Sequence, residues 1–342
     1  MTNCLKLSPY FVIWPDMSGR RSMDNLETRF FNPGMTTAQI LALGEPLIEM
    51  VRLADQIDGR PAYRQSVGGD TLNALVAAAR QGGATGYLSA VGSDPFGEDI
   101  LALCDHEGID RSNILVRPED PTGVNFIHPH PEGRRFFYAR RGSAASHYSV
   151  SDLPQGAIAN ARILHVSAVS LAISPEMRRA VLQAAKLAKD SETLVSFDLN
   201  LRLNLWSLDT ARQTIAAFLP LADIVLPSDD EANTLLGTCD PKAQIAHFQR
   251  HGARYVLLKR GRQGAVLATS VDQFEIRAPQ ADAVDSTGAG DSFAGAFLAY
   301  LLETGNETEA ARRAAIVAAG TVSGYGAIEA IPDRTTVLKT AV

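Results

Sequence analysis

The chain has 342 residues, of which 46% are hydrophobic and 20% are charged, and these fractions exclude a disordered tail, a collagen-like chain and a disulfide-stapled miniprotein. Acidic residues outnumber basic residues by 38 to 32, and the resulting formal net charge of -6 argues against a nucleic-acid-binding surface. The three cysteines are widely spaced and form no CxxC pair, which is typical of reduced thiols in a cytoplasmic protein.

Residues 1–37 differ in character from the rest of the chain. They contain three prolines and no helical periodicity, and their apolar run from Tyr10 to Trp14 is too short for a signal peptide. We predict that they form an N-terminal extension outside the fold, and that residues 38–335 form one domain. No window of the chain approaches 18 uncharged apolar residues, so we expect no transmembrane helix and no membrane partner.

From Ile40 onward, short apolar runs alternate with amphipathic stretches. The apolar runs predict strands in ILALGEPLIEM, ATGYLSAVG, ARILHVSAV, TLVSFDLN, ADIVLPS, YVLLKRG and GAVLAT. The amphipathic stretches predict helices over 70–80, 94–107, 174–190, 208–221, 229–237, 291–303 and 308–320. Strands separated by helices of this length indicate an α/β fold with a doubly wound, mainly parallel sheet between two layers of helices.

Two segments interrupt this alternation. Residues 45–67 and 121–142 are rich in Val, Ile, Phe and Tyr at alternating positions and contain the turn sequences DGRP and HPEGRR. We predict two antiparallel hairpins that form a small β-lid over the edge of the sheet. Ligands of doubly wound sheets bind beyond the carboxyl ends of the strands, so we expect the lid to approach a ligand there.

The sequence DSTGAGDSFAGAF, residues 285–297, places a glycine-rich turn directly before an amphipathic helix. Such a turn exposes backbone N–H groups at the positive end of the helix dipole, which suits a phosphoryl group in flight. A carboxylate at Asp291 could accept a proton from an attacking hydroxyl. The alternative is an ordinary glycine turn with Asp291 as the helix N-cap.

This segment resembles the C-terminal signature of the ribokinase-like (PfkB) sugar kinases, approximately D-T-x-G-A-G-D, with Ser286 in the usual Thr place. The segment from Val67 to Ile100 resembles the N-terminal GG…N…A…G…VG.D.FG pattern of the same family. The resemblance covers residues 40–332 and implies a ribokinase-like fold that uses ATP and Mg²⁺. It also implies catalysis by Asp291 together with the backbone of Gly288, Ala289 and Gly290.

Three segments resemble the 2-keto-3-deoxygluconate kinases of that family: LGEPLIEM, FFYARRGSAAS and DLNLRLNLW. The implied substrate carries a carboxylate, to which Arg140 and Arg202 could donate forked hydrogen bonds while Tyr138 packs against the carbon skeleton. An arginine in this hairpin could instead belong to a solvated sheet edge, which is the interpretation that we favour for Arg134 and Arg135.

The resemblance also assigns residues around the sugar and the nucleotide. Gly69, Asp70 and Asn73 would line the sugar, although Asp70 also suits a helix N-cap. The KRGRQG segment matches a K-x-G-x-x-G turn beside the nucleotide, with a basic β-turn as the alternative. The residues implied at the nucleotide are Asn200, Arg202, Lys259, Gly261, Gly264, Gly288 and Gly290.

Three positions depart from the family pattern. Ser228 replaces Asn in an N-x-x-E sequence whose acid, here Glu231, would organise Mg²⁺ and its waters. Three consecutive acids at this helix start also satisfy the helix dipole without a metal. Ala327 stands where archaeal relatives carry a Gly-Asp pair that contacts substrate, and Asn125 stands in the place of a lid tyrosine.

We therefore expect an ATP-dependent kinase that converts 2-keto-3-deoxygluconate, or a near relative, to its 6-phosphate. A fructokinase or ribokinase that acts on a neutral sugar, and a non-catalytic sugar-binding regulator that retains the fold, are the alternatives. The expected partners are a small sugar acid and ATP, and we expect a homo-oligomer. The sequence leaves open whether a monovalent cation assists.

Overall fold

The computed structural model describes residues 38–130 and 133–340, so the predicted extension over 1–37 lies outside the described residues. The strands of the described chain are β1 (Ile40–Leu43), β2 (Leu47–Ile57), β3 (Arg60–Gly68), β4 (Thr85–Gly92), β5 (Ile114–Arg117), β6 (Val124–His130), β7 (Gly133–Ala139), β8 (Ile163–Ser167), β9 (Leu194–Asp198), β10 (Ile224–Leu226), β11 (Tyr255–Lys259), β12 (Ala265–Ala268) and β13 (Gln273–Ile276).

The α-helices of the same residues alternate with these strands. They are α1 (Asp70–Arg80), α2 (Pro95–Glu107), α3 (Gln155–Asn160), α4 (Ala168–Ala172), α5 (Pro175–Asp190), α6 (Leu208–Phe218), α7 (Asp229–Leu236), α8 (Pro241–Arg250), α9 (Ala289–Thr304), α10 (Glu307–Thr321) and α11 (Arg334–Thr340). Within the described ranges, no helix combines the length and the apolar character needed to cross a lipid bilayer.

The main sheet has the strand order β13-β12-β11-β10-β9-β8-β1-β4-β5 in the described residues. Its strands are parallel from β5 to β11, and β12 and β13 are added as antiparallel strands at one edge. From β1 the chain adds β4 and then β5 on one side of the sheet. It then returns to add β8 beside β1 and the later strands on the other side. The predicted doubly wound, mainly parallel sheet is therefore confirmed, and its direction of winding changes between β1 and β8.

A second sheet, with the order β3-β2-β6-β7, contains both segments of the predicted lid. Both predicted segments are antiparallel hairpins, β2 with β3 and β6 with β7. The hairpins join through parallel pairing of β2 with β6, from Ile48 with Val124 to Val51 with Ile127. The sequence analysis predicted the hairpins but not this parallel junction, because the two segments are separated by a complete β-α-β unit.

Several elements begin or end at residues other than the predicted ones, in one case because of a helix cap. The strand predicted through residue 169 ends at Ser167, whose hydroxyl accepts a hydrogen bond from the Ser170 amide and starts α4. Strand β2 begins at Leu47, within the segment 45–67 that the sequence analysis predicted as a hairpin. Helix α9 begins at Ala289, two residues before the predicted start. The sequence analysis missed β5 and β13 and also the helices α3, α4, α8 and α11.

Close packing fixes the position of α9, which lies between α1 and α10. A Cβ built at Gly295 would lie 1.8 Å from the carbonyl oxygen of Ala74, so the backbones of α9 and α1 meet with no room for a side chain. The residues of α9 from Ser292 to Leu302 are buried. The glycine therefore sets the distance between the two helices that carry Asp70 and Asp291 in their first turns.

We expect Gly295→Ala to lower the free energy of unfolding by about 1–3 kcal/mol, since the added methyl group overpacks a closed interface. The matched control is Gly156→Ala in α3, where a Cβ would meet nothing within 4 Å. Denaturant unfolding measures both variants. Equal midpoints for the two variants would show that the contact between α1 and α9 tolerates the extra atom.

Candidate active site

The parallel strands bring chemically active residues to one edge of the main sheet. Asp198 is the last residue of β9 and Lys259 is the last residue of β11, with β10 between them. Asn200 follows β9 and Glu231 lies in the first turn of α7, which follows β10. Because parallel strands end at the same edge, residues from distant parts of the sequence meet there.

The carboxylates of Asp70 and Asp291 lie in one hydrogen-bond network with two asparagines. Asn73 Nδ2 donates to Asp291 Oδ2 at 2.8 Å. Asn200 Nδ2 lies 3.1 Å from Asp70 Oδ2 and 3.5 Å from Asp291 Oδ1. The structure thus brings together four residues that the sequence analysis placed at the sugar, the nucleotide or the reacting hydroxyl.

Neither Asp70 nor Asp291 is the N-cap of its helix, as the alternative interpretation of each acid proposed. The N-cap of α9 is Gly288 and the N-cap of α1 is Gly69, and neither helix start has a side-chain cap hydrogen bond. The carboxylates of Asp70 and Asp291 instead accept hydrogen bonds from side chains of other elements. Their position in the first turn still favours negative charge, because the helix dipole is positive there.

Lys259 supplies positive charge to this cluster. Its Nζ atom lies 2.9 Å and 2.8 Å from the two carboxylate oxygens of Asp198. A Cβ built at Gly290 would lie 3.3 Å from the same Nζ atom, so the ammonium group stands beside the start of α9. The sequence analysis quoted Asp198 in a motif without giving it a role. An acid at the end of a buried strand was the signal that could have found it.

The start of α9 requires glycine at Gly288. This residue has φ +75°, and a Cβ there would lie 2.6 Å from the carbonyl oxygen of Ala327. The first N–H groups of a helix lack intrahelical acceptors and carry part of the positive helix dipole. Together with the ammonium group of Lys259, these amides form a region suited to an anion.

The surrounding charges raise the proton affinity of Asp291. Its removal from water, followed by repulsion from Asp70 and Asp198, raises the pKa of Asp291 to about 7. Burial lowers the pKa of Lys259, but the opposing attraction of Asp198 and Glu231 leaves that pKa above its ordinary value. Asp291 can therefore exchange a proton near neutral pH while Lys259 stays charged.

The lid residues predicted to contact the sugar lie where the lid joins the main sheet. The Arg140 guanidinium carbon is 5.5 Å from the centroid of the Tyr138 ring, and Tyr138 is opposite Asn125 in the pairing of β6 with β7. Arg140 forms an ion pair with Glu45, a buried residue two positions after β1. The sequence analysis missed Glu45, although an acid directly after a buried strand was a usable signal.

Glu231 has partners on both carboxylate oxygens. Its Oε1 atom accepts from the Leu201 amide and from Arg202 Nη1, both at 3.2 Å. Its Oε2 atom accepts from the Ser228 amide at 3.3 Å in a capping box. In the described part of the chain, no group of three or more His, Cys, Asp or Glu is arranged to hold a metal ion. Glu231 therefore accepts three hydrogen bonds and retains limited acceptor capacity on Oε2.

The KRGRQG segment begins at Lys259 and forms the connection from β11 to β12. Residues Gly261–Gln263 form a short 3₁₀ helix, where the sequence analysis allowed a β-turn. Gly264 has φ +86°, and a Cβ there would lie 1.9 Å from the carbonyl oxygen of Ile276, so this position also requires glycine. Gly264 therefore shapes the connection between β11 and β12, in which the amides of Arg260, Gln263 and Gly264 donate to carbonyl oxygens of the same turn.

Comparison with known proteins covers most of the chain. The sequence profile described as pfkB family carbohydrate kinase matches residues 37–334. The 2-dehydro-3-deoxygluconokinase of Thermoproteus tenax is 32% identical over 308 residues, which cover 88% of this chain and 93% of that protein. The Arabidopsis thaliana protein named "Probable fructokinase-6, chloroplastic" is 30% identical over 329 residues, covering 92% of this chain and 85% of that protein.

The same fold occurs in solved structures. The structure of fructokinase with bound ATP from Xylella fastidiosa has a TM-score of 0.80 and is 26% identical, covering 88% of this chain and 97% of that chain. The chain is thus similar along most of its length to proteins that are named for two different sugars.

We expect Asp70→Asn to lower the pKa of Asp291, because the substitution removes a repelling negative charge beside that carboxyl group. Titration of the side-chain carboxyl carbons by ¹³C NMR measures this pKa in the free protein. The control is Asp190→Asn, which changes an exposed acid at the end of α5. The electrostatic account is wrong if the Asp291 titration is the same in both variants.

Proposed function

The chain belongs to the pfkB family of carbohydrate kinases and is a sugar kinase, and from that premise we propose that it transfers the γ-phosphoryl group of ATP to the 6-hydroxyl of 2-keto-3-deoxygluconate or a near relative. The observation that carries the proposal is the position of the Asp291 carboxylate. It lies in the first turn of α9, holds a hydrogen bond from Asn73, and shares the carboxyl edge of the sheet with Lys259.

Asp291 acts as the general base in this proposal. A group with a pKa of about 7 can accept the proton of a sugar hydroxyl while ATP is attacked. Asn73 holds one carboxylate oxygen, and Asn200 stands near the other, which fixes the orientation of the base. Asp70, on the far side of Asn200, is then available for a second hydroxyl of the sugar.

The start of α9 stabilises the charge of the transferring group. The backbone N–H groups from Gly288 to Asp291 are fixed before substrate binds, so they need no reorganisation during phosphoryl transfer. Lys259 adds a positive charge that Asp198 holds in place. ATP would bind as its Mg²⁺ complex, in which the metal would neutralise phosphate charge, and Glu231 is the acid that would help to hold the metal and its waters.

Recognition of a sugar acid requires a cation that reaches its carboxylate. Arg202 follows β9 at the same edge and is half-exposed, and its Nη1 atom donates to Glu231 and to the carbonyl oxygen of Leu201. A guanidinium binds a carboxylate through two parallel hydrogen bonds, which a neutral hydroxyl cannot reproduce. Arg140 and Tyr138 would complete the contact from the lid when it closes and excludes water.

A neutral sugar such as fructose is the second candidate substrate. The ion pair between Arg140 and Glu45 favours it, because this arginine already has a carboxylate partner inside the protein. The Arabidopsis relative named for fructose is also nearly as similar to the chain as the Thermoproteus relative. Initial rates on 2-keto-3-deoxygluconate and fructose, measured with saturating ATP and Mg²⁺, decide between the two substrates.

We expect Asp291→Asn to lower kcat by at least about a hundredfold, since a general base typically contributes about 10²–10⁴ in rate. The melting temperature and the affinity for ATP should stay close to those of the unmodified enzyme. The matched control is Asp230→Asn, an exposed acid in the first turn of α7, which should retain full kcat. Near-normal kcat in Asp291→Asn would remove this residue from the chemical step.

We expect Arg202→Ala to lower kcat/KM for the sugar acid about tenfold more than for fructose, which corresponds to ~1.4 kcal/mol of lost discrimination. Arg179→Ala, an exposed arginine of α5, serves as the control and should change neither value. Equal losses on both sugars would mean that Arg202 contacts a part of the substrate that the two sugars share, and not the carboxylate.

A further inference from the structure

Glu45 lies where all four connections between the lid and the main domain converge. Glu45 itself lies in the first connection, which leads from β1 into β2. Its backbone carbonyl oxygen would lie 2.5 Å from a Cβ built at Gly69, where the β2–β3 hairpin returns to the main domain. Its Oε1 atom would lie 2.7 Å from a Cβ at Gly123, where the second hairpin begins. Ser143 Oγ donates to the same oxygen at 2.7 Å, and Arg140 pairs with Oε2 where the second hairpin returns.

The ion pair at this junction is buried. Glu45 is 2% exposed and Arg140 is 9% exposed. Two charges removed from water need both each other and further hydrogen bonds, so separation of either partner leaves an uncompensated buried charge. The pair therefore favours the one arrangement of the four connections in which Glu45 and Arg140 meet.

Arg140 retains hydrogen-bonding capacity beyond this pair. Its buried Nε atom has no hydrogen-bond partner among the residues that the structure describes. Glu45 thus engages one guanidinium nitrogen and orients the group without using all of its donors. Both Glu45 oxygens face donors of the lid connections, so Glu45 itself is turned toward the protein and not toward a ligand.

We propose that Glu45 is a positioning residue for phosphoryl transfer: through Arg140 and the lid connections, it holds the lid in register with Asp291. The inference rests on the proposed kinase reaction but not on which sugar the enzyme uses. When the register is lost, the lid no longer holds the sugar hydroxyl against the γ-phosphate and no longer excludes water. Water then competes with the sugar for the phosphoryl group.

The test is Glu45→Gln, which keeps the shape and an acceptor for Ser143 but removes the charge that holds Arg140. Assays use whichever sugar the unmodified enzyme phosphorylates fastest, and they measure both KM values and the ratio of ADP to sugar phosphate formed. We expect KM for the sugar to rise tenfold or more and the ratio to rise clearly above one, while KM for ATP changes less than twofold.

The control is Asp223→Asn, which breaks another ion pair of a buried acid, in this case with the exposed Lys189. Asp223 is 6% exposed and lies 2.6 Å from Lys189 Nζ, just before β10 at the opposite edge of the sheet. This variant should lose stability in the same way as Glu45→Gln while both KM values and the product ratio remain normal. If Glu45 only stabilised the fold, Glu45→Gln would also lose stability while both KM values and the product ratio remained normal. That result would overturn the proposal.

A double variant keeps the test decisive if Glu45→Gln fails to fold. The combination of Glu45→Gln with Arg140→Gln leaves no buried charge and should fold with stability near that of the unmodified enzyme. We expect it to retain the high KM for sugar and the raised product ratio, and normal values for both would overturn the proposal. Failure of the proposed function is distinct, because the unmodified enzyme would then phosphorylate no sugar.

Discussion

The carboxylates of Asp70, Asp198 and Asp291 lie with the ammonium group of Lys259 at the carboxyl edge of the sheet, and their burial together with their mutual repulsion is the constraint on which the site depends. Removal from water, followed by repulsion from Asp70 and Asp198, raises the pKa of Asp291 to about 7, and Lys259, which is held by Asp198, offsets this only in part. The same acid in an isolated helix would ionise far below neutral pH. The properties of the base therefore come from its neighbours.

These neighbours are kept in place by backbone contacts that admit no side chain. Gly295 brings α9 against Ala74 of α1, and Gly288 brings the start of α9 against Ala327 near the C-terminal end of the domain. The first contact sets the spacing between the helices of Asp70 and Asp291, and the second orients the amides that would face the phosphoryl group in the proposed function. Rigid, closely packed helices can hold a base and an anion site to within the small tolerances that transfer between bound substrates requires.

The lid depends on a different kind of interaction. Its hairpins pair with each other through β2 and β6, and they meet the main domain at the buried pair of Glu45 and Arg140. A buried ion pair adds little net stability but strongly disfavours arrangements that separate its members. This property suits a lid that must return to one position. It also means that Arg140 serves the junction as well as any substrate, so in the proposed function the recognition of a sugar acid depends more on Arg202.

Much of the fold and part of the site followed from the sequence by itself. Apolar periodicity predicted the doubly wound sheet and both hairpins, because these signals are local. The glycine-rich turn singled out Asp291, whereas the roles of Asp70, Asn73, Asn200 and Lys259 were implied only by the family resemblance. Short or edge elements such as β5 and β13 were missed, since four residues carry too little periodicity to distinguish a strand from a loop.

Only the tertiary structure decided which of these residues meet and what charge each one carries. Asn73 and Asp291 are 218 positions apart, and they form a hydrogen bond because strand order and helix packing bring α1 beside α9. Asp198 and Glu45 gain their importance in the same way, as partners of Lys259 and Arg140. Local sequence determines helices, strands and turns, whereas pKa values and ion pairs depend on distances between segments that only the folded chain defines.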